Sequence, residues 1–261
     1  MFSHAFINFA VISEKKLPSS NNFPLEASSA NTPAGVVLIL IVICPFALGY
    51  FLSYLFRSTN AIIAPQLISE IGLDASDLGL LTAMYFLTFS LFQVPLGILL
   101  DRYGPRLVQT FLLFFAALGA FLFAQAETIE GLATSRGLIG LGVAGCLMAS
   151  IKASTLWFDE KHWPVINGTF LAAGGLGAVA ATAPLEIALT YTDWRTIFLI
   201  LAAITIFIAV LIFLVVPEKK QSNSFPTLKK QILELGIIYR NREFWRCAPL
   251  ISASLGTNMA I

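Results

Sequence analysis

The chain has 261 residues, of which 57% are hydrophobic and only 12% charged, so its apolar surface is too large to bury inside a water-soluble globule of this size. The bilayer must be part of its solvent. A formal net charge of +1, with the charges confined to a few clusters, leaves no electrostatic footprint for nucleic-acid binding.

Residues 1–33 begin weakly apolar, pass through Glu14, Lys15 and Lys16, and continue into a stretch rich in serine, asparagine and proline. They read as a disordered tail. A basic segment followed by a continuous apolar core, as a cleaved signal peptide requires, is missing from this start. Six apolar runs follow, each close to the roughly 20 residues that cross a hydrocarbon core as a helix. The first lies within residues 35–68, and the next five cover about 78–100, 107–126, 131–155, 165–185 and 196–216. A polar linker occupies 217–243, and residues 244–261 start a seventh apolar run. The expected architecture is an all-α membrane protein, a bundle of six helices over residues 34–216 with the beginning of a seventh.

Lysine and arginine positions set the orientation. Lys15, Lys16, Arg102, Arg106, Lys161, Lys219, Lys220, Lys229 and Lys230 fall on one side. Glu70, Asp74, Asp77, Glu127 and Glu130 fall on the other, with Arg195 as that side's loop cation. The amino terminus and the linker after the sixth run are therefore assigned to the cytoplasm, and the protein to a cytoplasmic (inner) membrane. The sixth run holds nothing more polar than threonine, so it and the third are expected to face lipid. The first, second, fourth and fifth runs carry Arg57, Asn60, Gln93, Arg136, Lys152 and Asn167, and should surround a wet interior, where ionisable groups at membrane depth are tolerated.

The chain has three cysteines. Cys44 and Cys146 lie in apolar runs and Cys247 follows Arg246, without metal-ligand or disulfide spacing; they read as packing residues. No G-x-x-x-x-G-K-[ST] phosphate loop is present, so ATP is not the energy source within this chain. His4 and His162 belong to the tail and to a loop, and no Ser/His/Asp or Cys/His constellation suggests an enzyme. No cofactor is expected.

The stretch Gly97-Ile-Leu-Leu-Asp-Arg-Tyr-Gly-Pro-Arg106 ends one apolar run abruptly in charge, glycine and proline before the next begins. It resembles the signature between the second and third helices of major facilitator superfamily transporters. Arg136-Gly-Leu-Ile-Gly-Leu-Gly142 resembles that family's fourth-helix motif, an arginine followed by spaced glycines including Gly140. Asp193-Trp-Arg-Thr-Ile-Phe198 resembles the tryptophan-arginine entry into its sixth helix. The resemblance covers about residues 35–216 and implies the amino-terminal half of a fold of about twelve helices in two related halves. It further implies that Asp101 faces the positive amino-terminal end of a helix in the other half and holds the cytoplasmic gate shut. Gly97 would let that helix approach, Gly104 would relax the turn, and Arg102 and Arg106 would hold the cytoplasmic side. For Arg136 the resemblance implies a structural or coupling role.

Arg57 admits two placements. A first helix over 35–55 leaves it at the outer interface; one over about 43–67 puts Arg57 and Asn60 well inside. The second is favoured because it explains why residues 61–68 are so apolar. An embedded guanidinium suits an anionic substrate group, since its fork pairs with two oxygens at once. Lys152 reads either as a second cavity cation or as a lysine reaching the nearby interface. Tyr85 and Gln93, two turns apart, can share a face toward a wet cavity or toward a neighbouring helix. The expected function is a secondary transporter of a small anionic metabolite such as an organic acid, driven by a proton or other coupling ion, with Arg57, Asn60, Tyr85, Gln93 and Lys152 as substrate ligands. A drug/proton antiporter is one alternative. The other is a truncated chain or half-transporter that needs a carboxy-terminal half or a second chain.

Overall fold

The computed structural model of the protein describes residues 39–219. The tail, most of the linker and the seventh apolar run read from the sequence lie outside the described residues. A π-helical turn, Ile39–Ile43, leads into α1, Cys44–Ile71. Pro45 sits in its first turn, where a missing N–H is harmless. The helix ends on Gly72, whose φ of 79° suits a residue without a Cβ.

The next helix, α2, is 51 residues long, Ala75–Gln125. Asp74 and Asp77 close its amino terminus reciprocally, each side chain accepting from the other's backbone N–H. A straight helix of that length would run about 76 Å, far more than the roughly 30 Å hydrocarbon core. It is not straight. Gly104, at φ 78° and ψ 163°, breaks the helical path for a single residue, and Pro105 starts the second arm.

Cross-helix contacts show that the arms run in opposite directions. After α2 come α3, Ile129–Val143, and α4, Cys146–Trp157. Along α3 and α4, Gly137, Ala144 and Lys152 meet Thr88, Gln93 and Asp101 in that order, so they run parallel to the first arm. Gly119, Ala116 and Leu112 of the second arm approach Ile139, Gly142 and Gly145, an antiparallel pairing. One helical element by hydrogen bonding is thus two crossings by geometry.

A 3₁₀ turn, Glu160–His162, then precedes α5, Trp163–Ala180, α6, Ala183–Tyr191, and α7, Trp194–Val215. Five helical stretches are long and apolar enough to span a bilayer, Leu40–Ile71, Ala75–Gln125, Ile129–Trp157, Glu160–Tyr191 and Trp194–Val215. With the bend at Gly104 they supply the six crossings expected from the sequence.

Two of those crossings are less regular than the hydropathy pattern predicts. The fourth, expected to be continuous over 131–155, is interrupted at Ala144 and Gly145, where Ala144 N–H donates to Leu141 rather than one residue further back. Gly145 is pressed so closely onto the second arm of α2 that a Cβ would lie 2.6 Å from Leu112 Cδ1. The fifth, expected over 165–185, breaks at Ala181 and Thr182 and resumes as far as Tyr191. Pro184 explains this break, because it has no N–H for the Ala180 carbonyl and its ring crowds that oxygen.

The second arm of α2 packs along α7, with Phe123 against Trp194 and Phe198 at one end and Thr110 bonded to the Ala209 carbonyl toward the other. Their outer faces expose Phe111, Phe114, Leu118 and Phe121, and Ile200, Ile204, Phe207 and Leu214. Such a surface is stable against hydrocarbon, not water. The ends of the bundle are sorted by charge. Glu70 accepts from Trp194 Nε1 at 2.9 Å at one end, and Asp101 pairs with Lys152 at the other.

Candidate functional site

Polar side chains converge in the middle of the bundle, on α1, the first arm of α2 and α3. Arg57 sits midway along Cys44–Ile71, so the favoured deep placement is the one adopted. Its guanidinium carbon lies 4.7 Å from the Tyr54 ring centroid, 5.7 Å from that of Phe86 and 5.4 Å from that of Phe89. Three rings at that range hold a cation through their negative faces. Among the described residues Arg57 forms no ion pair, and its buried Nε has no hydrogen-bond partner.

Arg136 is placed differently. Only 1% exposed, it donates through Nη1 to the Phe56 carbonyl at 3.0 Å and through Nη2 to Asn60 Oδ1 at 2.8 Å. The Phe123 and Phe198 rings flank its guanidinium at 4.8 and 5.5 Å. Asn60 passes the chain on, its Nδ2 donating to Thr82 Oγ1 at 3.1 Å. Tyr85 is buried and its hydroxyl donates to the Ser53 carbonyl at 3.3 Å. Arg57, Asn60, Thr82, Tyr85, Phe86 and Arg136 together border a cavity of about 10 Å³, on the scale of a single water molecule.

Of the residues expected to bind substrate, Arg57, Asn60 and Tyr85 are therefore brought together, and two are not. Gln93 lies two turns along α2 and donates through Nε2 to the Ala144 carbonyl, at the interruption between α3 and α4. Lys152 lies farther still and makes a 2.7 Å ion pair with Asp101, the side chains being 31% and 46% exposed. Lys152 is thus neither a cavity cation nor an unpaired interface lysine, and its partner Asp101 lies on another helix, 51 residues away. Gly97 is exposed beside this end of the first arm and Gly104 forms the turn. Arg102 stacks on Tyr103 at 5.6 Å and Arg106 on Phe213 at 5.0 Å. Gly140 packs directly on the Tyr85 backbone.

Tyr54, Phe86, Phe89 and Thr82 were not singled out from the sequence. Their signal was available only in part: once Arg57 is placed at mid-helix, Tyr54 follows from i, i+3 spacing, whereas the phenylalanines come from another helix. The paired Gln109 and Cys146, 3.0 Å apart in the buried interior, gave no signal either.

Helices of spanning length around a buried cationic and polar column, with an apolar outer face, define a multi-pass integral membrane protein. The Major Facilitator Superfamily profile matches residues 46–261. The chain belongs to that superfamily. It is 28% identical over 219 residues to the hexuronate transporter of Escherichia coli K12, covering 77% of this chain and 50% of that protein. It is 26% identical over 217 residues to the galacturonate transporter of Dickeya chrysanthemi, covering 77% of this chain and 63% of that one. Among solved structures, a bacterial homologue of the human lysosomal transporter Spinster, inward-facing and unoccupied, superposes with a TM-score of 0.69 at 20% identity, over 86% of this chain and 52% of that one. The chain spans between half and two thirds of the length of these relatives.

Proposed function

We propose that these helices form the amino-terminal half of a secondary active transporter that carries a small organic anion across the cytoplasmic membrane by alternating access. The carrying observation is the state of Arg57. Of the two arginines in the central column, Arg136 has its Nη atoms committed to Phe56 and Asn60, whereas Arg57 is held against aromatic faces beside the Tyr85 side chain, without a carboxylate among the described residues. A guanidinium so placed keeps its planar fork for an incoming carboxylate, and desolvation strengthens that pairing. The relatives named for hexuronate and galacturonate support a carboxylated cargo. A cationic drug would meet repulsion at the same position.

Asn60 and Tyr85 border the site and contribute to it when its packing loosens, while Gln93 acts at the helix interruption. Asp101, Arg102 and Arg106, with Gly97 and Gly104, form the gate at the basic end, with Lys152 holding Asp101 until a facing helix of the second half takes its place. Arg136 and Gly140 fix α3 against α1 and α2. In this reading the basic end and the amino terminus face the cytoplasm, a second half completes the cavity, and a proton or another ion gradient supplies the driving force. The test is uptake of radiolabelled galacturonate and glucuronate into vesicles containing the full-length protein. Arg57→Ala is expected to abolish saturable uptake and Arg57→Lys to raise KM at least about tenfold by losing the bidentate pairing. Unchanged uptake by Arg57→Ala would remove Arg57 from the site.

A further inference from the structure

We infer that the turn at Gly104 is a binding site for an anionic phospholipid, one molecule of the leaflet at the basic end of the bundle. Two apolar grooves open on either side of a ridge formed by Leu107 and Phe111, the latter 65% exposed. The larger, about 550 Å³, lies between the arms of α2 and α3, with Phe92, Leu99, Tyr103, Phe115 and Leu141 among its walls. The smaller, about 320 Å³, lies between the second arm and α7, against Phe114, Val210 and Phe213.

Each groove has a guanidinium stacked on one of its own wall residues, Arg102 on Tyr103 and Arg106 on Phe213. Neither arginine forms an ion pair among the described residues, and the nearest carboxylate in the sequence, Asp101, is taken by Lys152. Cations resting on aromatic faces at the wall of an apolar groove present their outer N–H groups to a bound anion, and a phosphate accepts two of them from one fork.

Depth identifies the occupant. The larger groove extends from the turn to Phe92 on one arm and Phe115 on the other, 12 residues before and 11 after Gly104, which is about 16–18 Å of helix. That is about half of the roughly 30 Å hydrocarbon core, the reach of one leaflet's acyl chain. An extended peptide in the same groove would leave backbone N–H and C=O groups without partners in hydrocarbon. An acyl chain has no such groups. The two guanidiniums at the mouth then favour a headgroup with net negative charge over a zwitterion. The site is separate from the Arg57 column and does not depend on what the protein transports.

The test is native mass spectrometry of the full-length protein, released from detergent after incubation with equal amounts of dioleoyl phosphatidylglycerol and dioleoyl phosphatidylcholine. The phosphatidylglycerol adduct is expected to dominate by about tenfold, the preference that two nearby cations can supply. The double variant R102Q/R106Q should bring the ratio close to one while still retaining lipid. Leu141→Trp, which fills the larger groove, should lower retention of both lipids several-fold. Circular dichroism checks that each variant is folded. If one is not, the wild-type protein is read at rising salt, which must reduce the preference by screening. Equal retention of the two lipids by the wild type, a preference that survives R102Q/R106Q, or one indifferent to salt overturns the assignment. So does displacement of the lipid by an equal concentration of glycerol phosphate, which would assign the arginines to a free phosphate compound.

Discussion

Arg136 donates from Nη2 to Asn60 Oδ1 at 2.8 Å across 76 residues of sequence, and this bond, with the one to the Phe56 carbonyl, ties α3 to the middle of α1. The two neighbouring rings, Phe123 and Phe198, come from the second arm of α2 and from α7, so one side chain joins four of the crossings.

Removing this guanidinium should therefore loosen the whole bundle. Arg136→Ala leaves the Phe56 carbonyl and Asn60 Oδ1 without their donor and opens a hole between two rings. A loss of about 3–5 kcal/mol is expected, the range for breaking a buried charged contact on one side. Arg136→Lys should recover only a minor part, because a single ammonium cannot reach both acceptors in the plane of the fork. Thermal unfolding in detergent checks this, with Asn60→Ala expected to fall between wild type and Arg136→Ala. Equal melting temperatures for wild type and Arg136→Ala would show that the contact is incidental.

The Asp101 and Lys152 pair should behave in the opposite way. At 2.7 Å its geometry is good, but both side chains are partly exposed. Screening by solvent limits such pairs to about 1 kcal/mol or less. In a double-mutant cycle with Asp101→Asn and Lys152→Met, the coupling measured by unfolding should stay within that limit and shrink at high salt. A coupling of several kcal/mol would mean that the pair is buried in the assembled protein.

These contrasts explain what could be read from the sequence. Six apolar runs and the acidic and basic ends are local patterns, and they are present among the described residues. The reach of α1 past Arg57 was also legible, since an apolar segment after an arginine argues for a deep placement. The interruption at Ala144 was not. Residues 141–146 contain no proline, and what shapes them is tertiary, the Gln93 amide on the freed carbonyl and the pressure of Leu112 on Gly145. The loop expected between the second and third runs shrinks to one residue, because Gly104 alone can reverse the chain at positive φ. The partners of Arg136 and Lys152 lie 51 to 80 residues away, and depth along a helix does not identify a contact around it.

Asp193 offers a pH-dependent test outside the membrane-spanning segments. It caps α7, accepting from Thr196 N–H, and hydrogen bonding from Thr196, more than any other influence, holds its carboxyl below the usual carboxylate range. A depressed folded-state value contributes stability that is present above the unfolded value of about 3.9 and lost as pH falls through the folded one. The contribution is small because the group is exposed. Asp193→Ala should lower stability by about 1 kcal/mol at neutral pH, the usual effect of losing a cap. Asp193→Asn, a neutral cap, should melt close to wild type at neutral pH and lack this group's share of the acid destabilisation. Parallel acid melting curves for wild type and Asp193→Asn would mean that the capping bond is not maintained in solution.

Glycines provide the last test, because two of them in spanning helices predict opposite outcomes for the same substitution. A Cβ at Gly140 would lie well inside contact distance of the Tyr85 carbonyl oxygen and 2.7 Å from Thr88 Oγ1. Neither neighbour can yield easily. The first is backbone, and the second donates to the Gly137 carbonyl at 2.8 Å. Alanine there must push α3 away from α2, and with it Arg136 one turn earlier, so a loss of at least about 1–3 kcal/mol is expected from overpacking alone. A Cβ at Gly168 on α5 meets nothing within 4 Å. Gly168→Ala should therefore be neutral or gain up to about 1 kcal/mol from helix propensity. Unfolding of the two variants side by side in one detergent decides the matter: if Gly140→Ala melts with wild type, the close approach of α3 to the Tyr85 backbone is wrong, and the placement of Arg136 beside Asn60 must be revised with it.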